Sequence, residues 1–204
     1  MRPPDAHCLY LLAHGAGAGM RHDFLEEMSA RLAGRGVATL RYQFPYTEAG
    51  RKRPDRPAEL ERTVRAAAAE AARRAPDLPL IAGGKSMGGR MTSQAQAAGP
   101  LPGVRGLVFL GFPLHPAGQP STARAEHLAR VAVPMLFLQG TRDDLADLTL
   151  LEPVLRPLGP RAELVIVDGA DHSFRVPVRS GRRAGDVLGE LAAAVANFAA
   201  RLSP

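Results

Sequence analysis

Residues Leu80–Arg90 read Leu-Ile-Ala-Gly-Gly-Lys-Ser-Met-Gly-Gly-Arg. An apolar run, Leu80-Ile81-Ala82, ends in two glycines. Lys85, Ser86 and Met87 follow, then Gly88, Gly89 and a helix-compatible segment from Arg90 to Ala97. Gly84-Lys85-Ser86-Met87-Gly88 fits Gly-x-Ser-x-Gly, a pattern that sets a nucleophilic serine at the apex of a sharp strand-to-helix turn. Such an apex leaves no room for a Cβ two residues before or after it, and glycine meets that demand. Serine is also a common turn residue beside glycines, but the strand before and the helix after favour the nucleophile. The stretch looks, too, like the end of a phosphate-binding Gly-Lys-Ser loop. That loop needs a glycine five residues before Gly84, where Pro79 stands, so the phosphate cradle is missing.

Working outward, the 204 residues suit one α/β domain spanning 1–204, long enough to bury a sizeable core. With 46% hydrophobic and 23% charged residues, the chain falls outside the disordered class. Its one cysteine, Cys8, excludes an internal disulfide, and the absence of a Cys/His cluster argues against a metal site. Met1–His7 is polar and Cys8–Ala13 is too short for a signal core or a membrane span, so a cytoplasmic protein without membrane contact is expected. A net charge of +6 raises the question of nucleic acid. The basic residues are dispersed arginines, and the one tight run, Arg51–Arg56, is broken by proline and lacks aromatic interleaving. No nucleic-acid partner is expected.

Short apolar runs alternate with helical patterns along the chain. Strands are predicted at Cys8–Ala13, Val37–Tyr42, Leu78–Gly83, Val104–Leu110, Pro134–Gln139 and Ala162–Val167. A helix carries Phe24, Leu25, Met28 and Leu32; Ala58–Arg74 reads as a solvent-facing helix, and Met87–Ala98 follows the elbow. Further helices are predicted near Ser121–Arg130, around Leu148–Leu158, and at the C-terminus with Val187, Leu191, Val195 and Phe198 on one face. Gln43–Pro57 reads as a loop. The pattern predicts a parallel sheet covered on both faces, with ligands beyond the carboxyl ends of its strands.

A serine nucleophile needs a base, a carboxylate to orient that base, and backbone N–H donors for the oxyanion. Ser86, Asp143 and His172 occur in the order Ser, acid, His, each just after a predicted strand. Asp143 is preferred over Asp144 as the acid because it can reach back over the strand end. Asp171, adjacent to the histidine, is assigned to shaping the turn. The Met87 amide and the His14-Gly15-Ala16-Gly17 segment are the expected oxyanion donors. Gly15-Ala16-Gly17-Ala18-Gly19-Met20 fails Gly-x-Gly-x-x-Gly at Met20, and no acidic residue ends the second strand. Lys85 is given no catalytic role.

The stretches His14–Met20, Gly83–Met91, Gly111–Pro116, Pro134–Leu145 and Gly169–Phe174 together resemble the α/β-hydrolase superfamily. Within it they are similar to a compact branch that includes bacterial predicted hydrolases and testis-expressed protein 30. The resemblance implies Ser86 as nucleophile, Asp143 as acid, His172 as base, and Ala16 and Met87 as oxyanion donors. The chain starts directly at the strand that carries His14-Gly15. A three-layer sandwich is therefore expected, with a six-stranded, mainly parallel sheet in order 2-1-3-4-5-6. The short connection after strand four predicts no cap domain. The site is then shallow and open, with His14 and Gly15 as substrate contacts and Phe112, Pro113, Leu114 and His115 along one rim. The function implied is a cofactor-free serine hydrolase acting on a small-molecule ester or related acyl bond. The alternative is an interaction protein that keeps the fold without turnover.

Overall fold

Strand β1 (Cys8–Ala13) is buried at every position, because helices cover both of its faces. Cys8, Tyr10 and Leu12 point into one core and Leu9, Leu11 and Ala13 into the other. This two-sided burial is why the strand reads as a continuous apolar run rather than an alternating one. The computed structural model describes residues 1–202. Its other strands are β2 (Val37–Tyr42), β3 (Leu80–Lys85), β4 (Val104–Leu110), β5 (Met135–Gly140) and β6 (Ala162–Val167). All pair in parallel, in the order β2-β1-β3-β4-β5-β6. The strand order reverses at β1, which opens a crevice at the carboxyl ends of β1 and β3, the place where open sheets of this kind receive ligands.

One face of the sheet is covered by α1 (Asp23–Ala33) and α6 (Ala184–Leu202), through Leu25, Met28, Leu32, Val187, Leu191, Val195 and Phe198. The other face carries α3 (Pro57–Arg74), α4 (Met87–Ala98) and α5 (Leu148–Leu155), with a four-residue α2 (Pro45–Glu48) at its edge. The helix expected to face solvent, α3, buries Leu60, Val64, Ala68 and Ala71 along one stripe. Its charged residues occupy the remaining surface. Arg65 reaches from α3 to the C-terminal carbonyls of α4, with Gly99 O at 2.9 Å. No separate cap follows β4; the connection to β5 holds only a 3₁₀ segment, Ala123–Arg130.

Some element boundaries differ from the sequence reading, each for a local reason. β3 starts at Leu80 rather than Leu78, because Pro79 has no N–H to pair and its carbonyl instead accepts from Leu9 N–H at 2.9 Å. The strand extends to Lys85, which pairs with Leu110. The helix expected to run to Leu158 stops at Leu155, where Pro157 and Pro160 force a 3₁₀ segment, Arg156–Arg161. Gln43–Pro57 contains α2, whose first residue is Pro45, a residue suited to the first turn.

The two glycines of the Gly-x-Ser-x-Gly pattern are set by packing. A Cβ on Gly84 would lie 2.3 Å from the Ala13 carbonyl oxygen, and one on Gly88 would lie 2.6 Å from that of His14. The end of β3 and the start of α4 are thus pressed against the end of β1. Gly88→Ala should lower stability by about 1–3 kcal/mol in urea denaturation, through overpacking against that backbone. The loss would oppose the gain of about 1 kcal/mol that alanine normally brings to a helix interior. Gly34→Ala is the control: its Cβ would meet nothing closer than 3.6 Å, and its effect should stay within about 0.5 kcal/mol.

Candidate active site

Ser86 stands between β3 and α4 with φ 51° and ψ −119°, a conformation that non-glycine residues rarely adopt. Its N–H donates to Leu110 O at 3.2 Å, tying the apex to β4. Its hydroxyl donates to His172 Nε2 at 2.8 Å. On the other side of the ring, His172 Nδ1 donates to Asp143 Oδ2 at 2.7 Å. The network therefore puts the imidazole proton on Nδ1 and leaves the Nε2 lone pair facing Ser86. Asp143 Oδ1 accepts the Leu145 N–H at 2.8 Å, and Oδ2 also accepts from the Gln139 side-chain amide. Three separate strand ends, those of β3, β5 and β6, bring the set together.

The neighbouring carboxylates are engaged elsewhere. Asp144 is exposed. Asp171 Oδ1 accepts the Ser173 and Arg175 amides at 2.8 and 2.9 Å, closing the turn that carries His172. Asp147 caps α5 through the Thr149 amide at 2.8 Å. Gln139 is a site residue that the sequence reading missed. It is fully buried on β5, and its Oε1 accepts the Phe112 N–H at 2.9 Å while its amide reaches Asp143. A polar residue inside an otherwise apolar strand, Met135–Gly140, was the signal for it.

Ala16 is exposed and borders the same cavity as Ser86, while Met87 opens α4. The amide of a first helical residue has no intrahelical acceptor, and it sits at the positive end of the helix dipole. The Ala18 N–H closes a turn on Gly15 O at 3.3 Å.

The expected substrate contacts are corrected in part. Gly15 borders the cavity, but His14, Phe112 and Leu114 are essentially inaccessible, and Pro113 and His115 are buried as well. The connection after β4 turns inward instead of forming a rim. Phe112 packs edge-on against Phe109 and Phe137, at 5.4 and 5.7 Å between centroids. His115 N–H bonds Leu145 O at 3.0 Å, and its Nε2 accepts the Asp147 N–H at the same distance. His14 is an internal strut: Nε2 accepts the Phe44 N–H at 3.1 Å and Nδ1 donates to Gly15 O at 2.8 Å. Burial lowers its pKa, as befits a neutral ring held by two such bonds. The cavity, of about 580 Å³, opens instead toward the first turns of α1 and α6. Phe24, Leu145, Phe174 and Leu188 supply its apolar walls, with Phe24 and Phe174 stacked at 6.0 Å.

These features meet at the end of a six-stranded parallel sheet, and residues 6–200 match the family model described as the alpha/beta hydrolase domain. The chain belongs to the alpha/beta hydrolase family. Solved structures with the same fold include an alpha-beta serine hydrolase homologue from Coxiella burnetii, 18% identical with a TM-score of 0.73, covering 95% of this chain and 88% of that one. A dienelactone hydrolase from Anabaena variabilis is 23% identical with a TM-score of 0.74, covering 100% and 90%. A serine hydrolase without lid from Xanthomonas campestris is 21% identical with a TM-score of 0.72, covering 97% and 86%. At these identities the likeness is one of fold.

This hydrolase-family chain holds a second serine–histidine pair. Ser93 Oγ lies 2.7 Å from His127 Nε2, between α4 and the 3₁₀ segment after β4. Its surroundings are the reverse of those at Ser86. Both residues are buried, Ser93 Oγ also contacts Arg90 O at 2.8 Å, and burial, then Arg90 and Arg130, lower the His127 pKa to about 4. An imidazolium would form there beside two guanidinium groups rather than a carboxylate. The pair is a buried hydrogen bond. Between pH 6.5 and 4 the unfolded chain binds a proton at His127 that the folded chain does not, so stability falls as pH falls through that window. His127→Gln should flatten the corresponding slope in urea denaturation run from pH 7 to pH 4. Ser93→Ala should cost roughly 1 kcal/mol and leave any reactivity at Ser86 intact.

Proposed function

We propose that this protein is a serine hydrolase that cleaves an ester or related acyl bond through an acyl-enzyme on Ser86. The observation that carries the reading is the continuous hydrogen-bond chain from Ser86 Oγ through His172 to Asp143. Ser86 attacks the carbonyl carbon while His172 Nε2 takes the hydroxyl proton. Asp143 stabilises the imidazolium that forms and keeps Nδ1 protonated. The developing oxyanion is received by the amides of Met87 and Ala16, with the N-terminus of α4 adding its positive end. The proton on Nε2 passes to the leaving group. Water, deprotonated by the same nitrogen, then attacks the acyl carbon, and collapse of the second tetrahedral species returns Ser86. The cycle draws on side chains, main-chain amides and water.

The cavity beside Ser86 supports a small-molecule substrate with an apolar acyl portion. Phe24, Phe174 and Leu188 receive it, and the small residues Gly15 and Ala16 let its carbonyl approach the main chain. A fluorophosphonate probe should label the wild-type chain, and Ser86→Ala should abolish both labelling and ester turnover. Asp143→Asn should lower turnover by about 10⁴-fold, by analogy with serine-protease triads, while Asp144→Asn should be silent. A folded wild-type chain that neither labels nor turns over p-nitrophenyl and thioester substrates would sink this reading in favour of a non-catalytic interaction protein.

A further inference from the structure

Lys85 stands next to Ser86 and has no part in the chemistry above. Its stem passes Gly15, after β1. Its Nζ donates to the main-chain carbonyl of His172 at 2.5 Å, lies 5.4 Å from the centre of the Phe174 ring, and sits 3.1 Å from where a Cβ on Gly111 would be. One side chain therefore passes close to the loops that follow β1 and β4 and is bonded to the loop that follows β6. Within the last of these, Asp171 holds the Ser173 and Arg175 amides, the Phe174 N–H bonds Asp171 O at 2.9 Å, and the Asp171 N–H bonds Arg175 O at 2.9 Å. Among the described residues no main-chain amide donates to the His172 carbonyl; the Lys85 ammonium does. Phe174 takes φ 60°, a strained value that lays its ring beside that ammonium and against Phe24.

Burying an ammonium is unfavourable, and a methionine of similar length would fill the same space without that penalty. A charged group in a half-buried place, spent on one main-chain carbonyl beside Ser86, points to function. We propose that Lys85 is a positioning residue, its ammonium fixing the main chain at His172 so that the imidazole stays between Ser86 and Asp143. The proposal rests on the hydrolase reading for its catalytic consequence but not for the clamp itself. The groups that face the ammonium are Asp143 from the loop after β5, and Asp171 and His172 from the loop after β6, where Arg175 also lines the cavity. His22 and Asp23, at the start of α1, line the same cavity. The loops after β1 and β4 present only main chain and small residues there. Burial lowers the Lys85 pKa to about 8, against the opposing pull of Asp143 and Asp171. The clamp is thus charged at neutral pH and loses its charge as pH rises through that value, where a neutral amine makes a weaker bond to the carbonyl.

The test compares the wild-type chain with Lys85→Met, and with Lys85→Gln should the methionine variant not fold. Hydrogen exchange is followed in Ala170–Arg175 and in the sheet, and p-nitrophenyl acetate turnover is followed from pH 6 to pH 10. The substituted chain should exchange faster in Ala170–Arg175 alone, keep or raise its melting temperature, and lose kcat by about 10²-fold with little change in KM. The wild type should show an alkaline fall in kcat/KM near pH 8 that the variant lacks. Unchanged exchange in that loop, or turnover with the wild-type rate and pH profile, overturns the proposal. Faster exchange throughout the sheet also overturns it, by making Lys85 a general structural residue. If the wild type shows no turnover or probe labelling at all, the hydrolase reading fails, and the exchange in Ala170–Arg175 still decides the clamp.

Discussion

The backbone at Ser86 is held at φ 51° by the close approach of three strands, and the rest of the site is arranged around it. A non-glycine residue in such a conformation costs on the order of 1–3 kcal/mol. The cost persists because Gly84 and Gly88 let the end of β3 and the start of α4 press onto β1, while the Ser86 N–H is spent on β4 through Leu110 O. Relaxing Ser86 would mean breaking sheet pairing on both sides. The serine hydroxyl is therefore aimed at the carboxyl edge by main-chain packing rather than by its own rotamer.

Around that apex a chain of buried polar groups links loops distant in sequence. Gln139 bonds both the Phe112 main chain and Asp143; Asp143 bonds His172; His172 meets Ser86 with its ring and Lys85 with its carbonyl. His14 and His115 do comparable work in the flanking loops, each using both ring nitrogens on main-chain partners. Such networks are costly when half satisfied and rigid when complete. Here the members at the site have partners, which suits a constellation that must hold its geometry before substrate arrives.

Two serine–histidine pairs at nearly the same distance, 2.8 Å at Ser86 and 2.7 Å at Ser93, show that distance alone carries little information. What separates them is the third group and the surroundings. Asp143 stands behind His172, and a cavity opens in front of Ser86. Arg90 and Arg130 stand near His127, with buried side chains around it. The same two side chains are backed by a carboxylate and open to a cavity in one setting, and form an internal brace in the other.

The sequence by itself determined the strands, the longer helices and the elbow, because those depend on local signals: two-sided apolar strands, 3.6-residue periodicity, and glycines where a Cβ has no room. It also narrowed the acid to two adjacent aspartates and named His172 from its place after the last strand. Only the tertiary structure decided that Asp143, and not Asp144, faces His172. That choice depends on how the turn after β5 is pinned by Gln139 and the Leu145 amide. Tertiary packing also took Phe112 and Leu114 out of the cavity and put Phe24, Phe174 and Leu188 in their place. An apolar residue in a loop reads the same whether it lines a pocket or fills a core. Which it does is settled by the side of the sheet its loop folds against, and that is a property of the assembled layers rather than of any short stretch of chain.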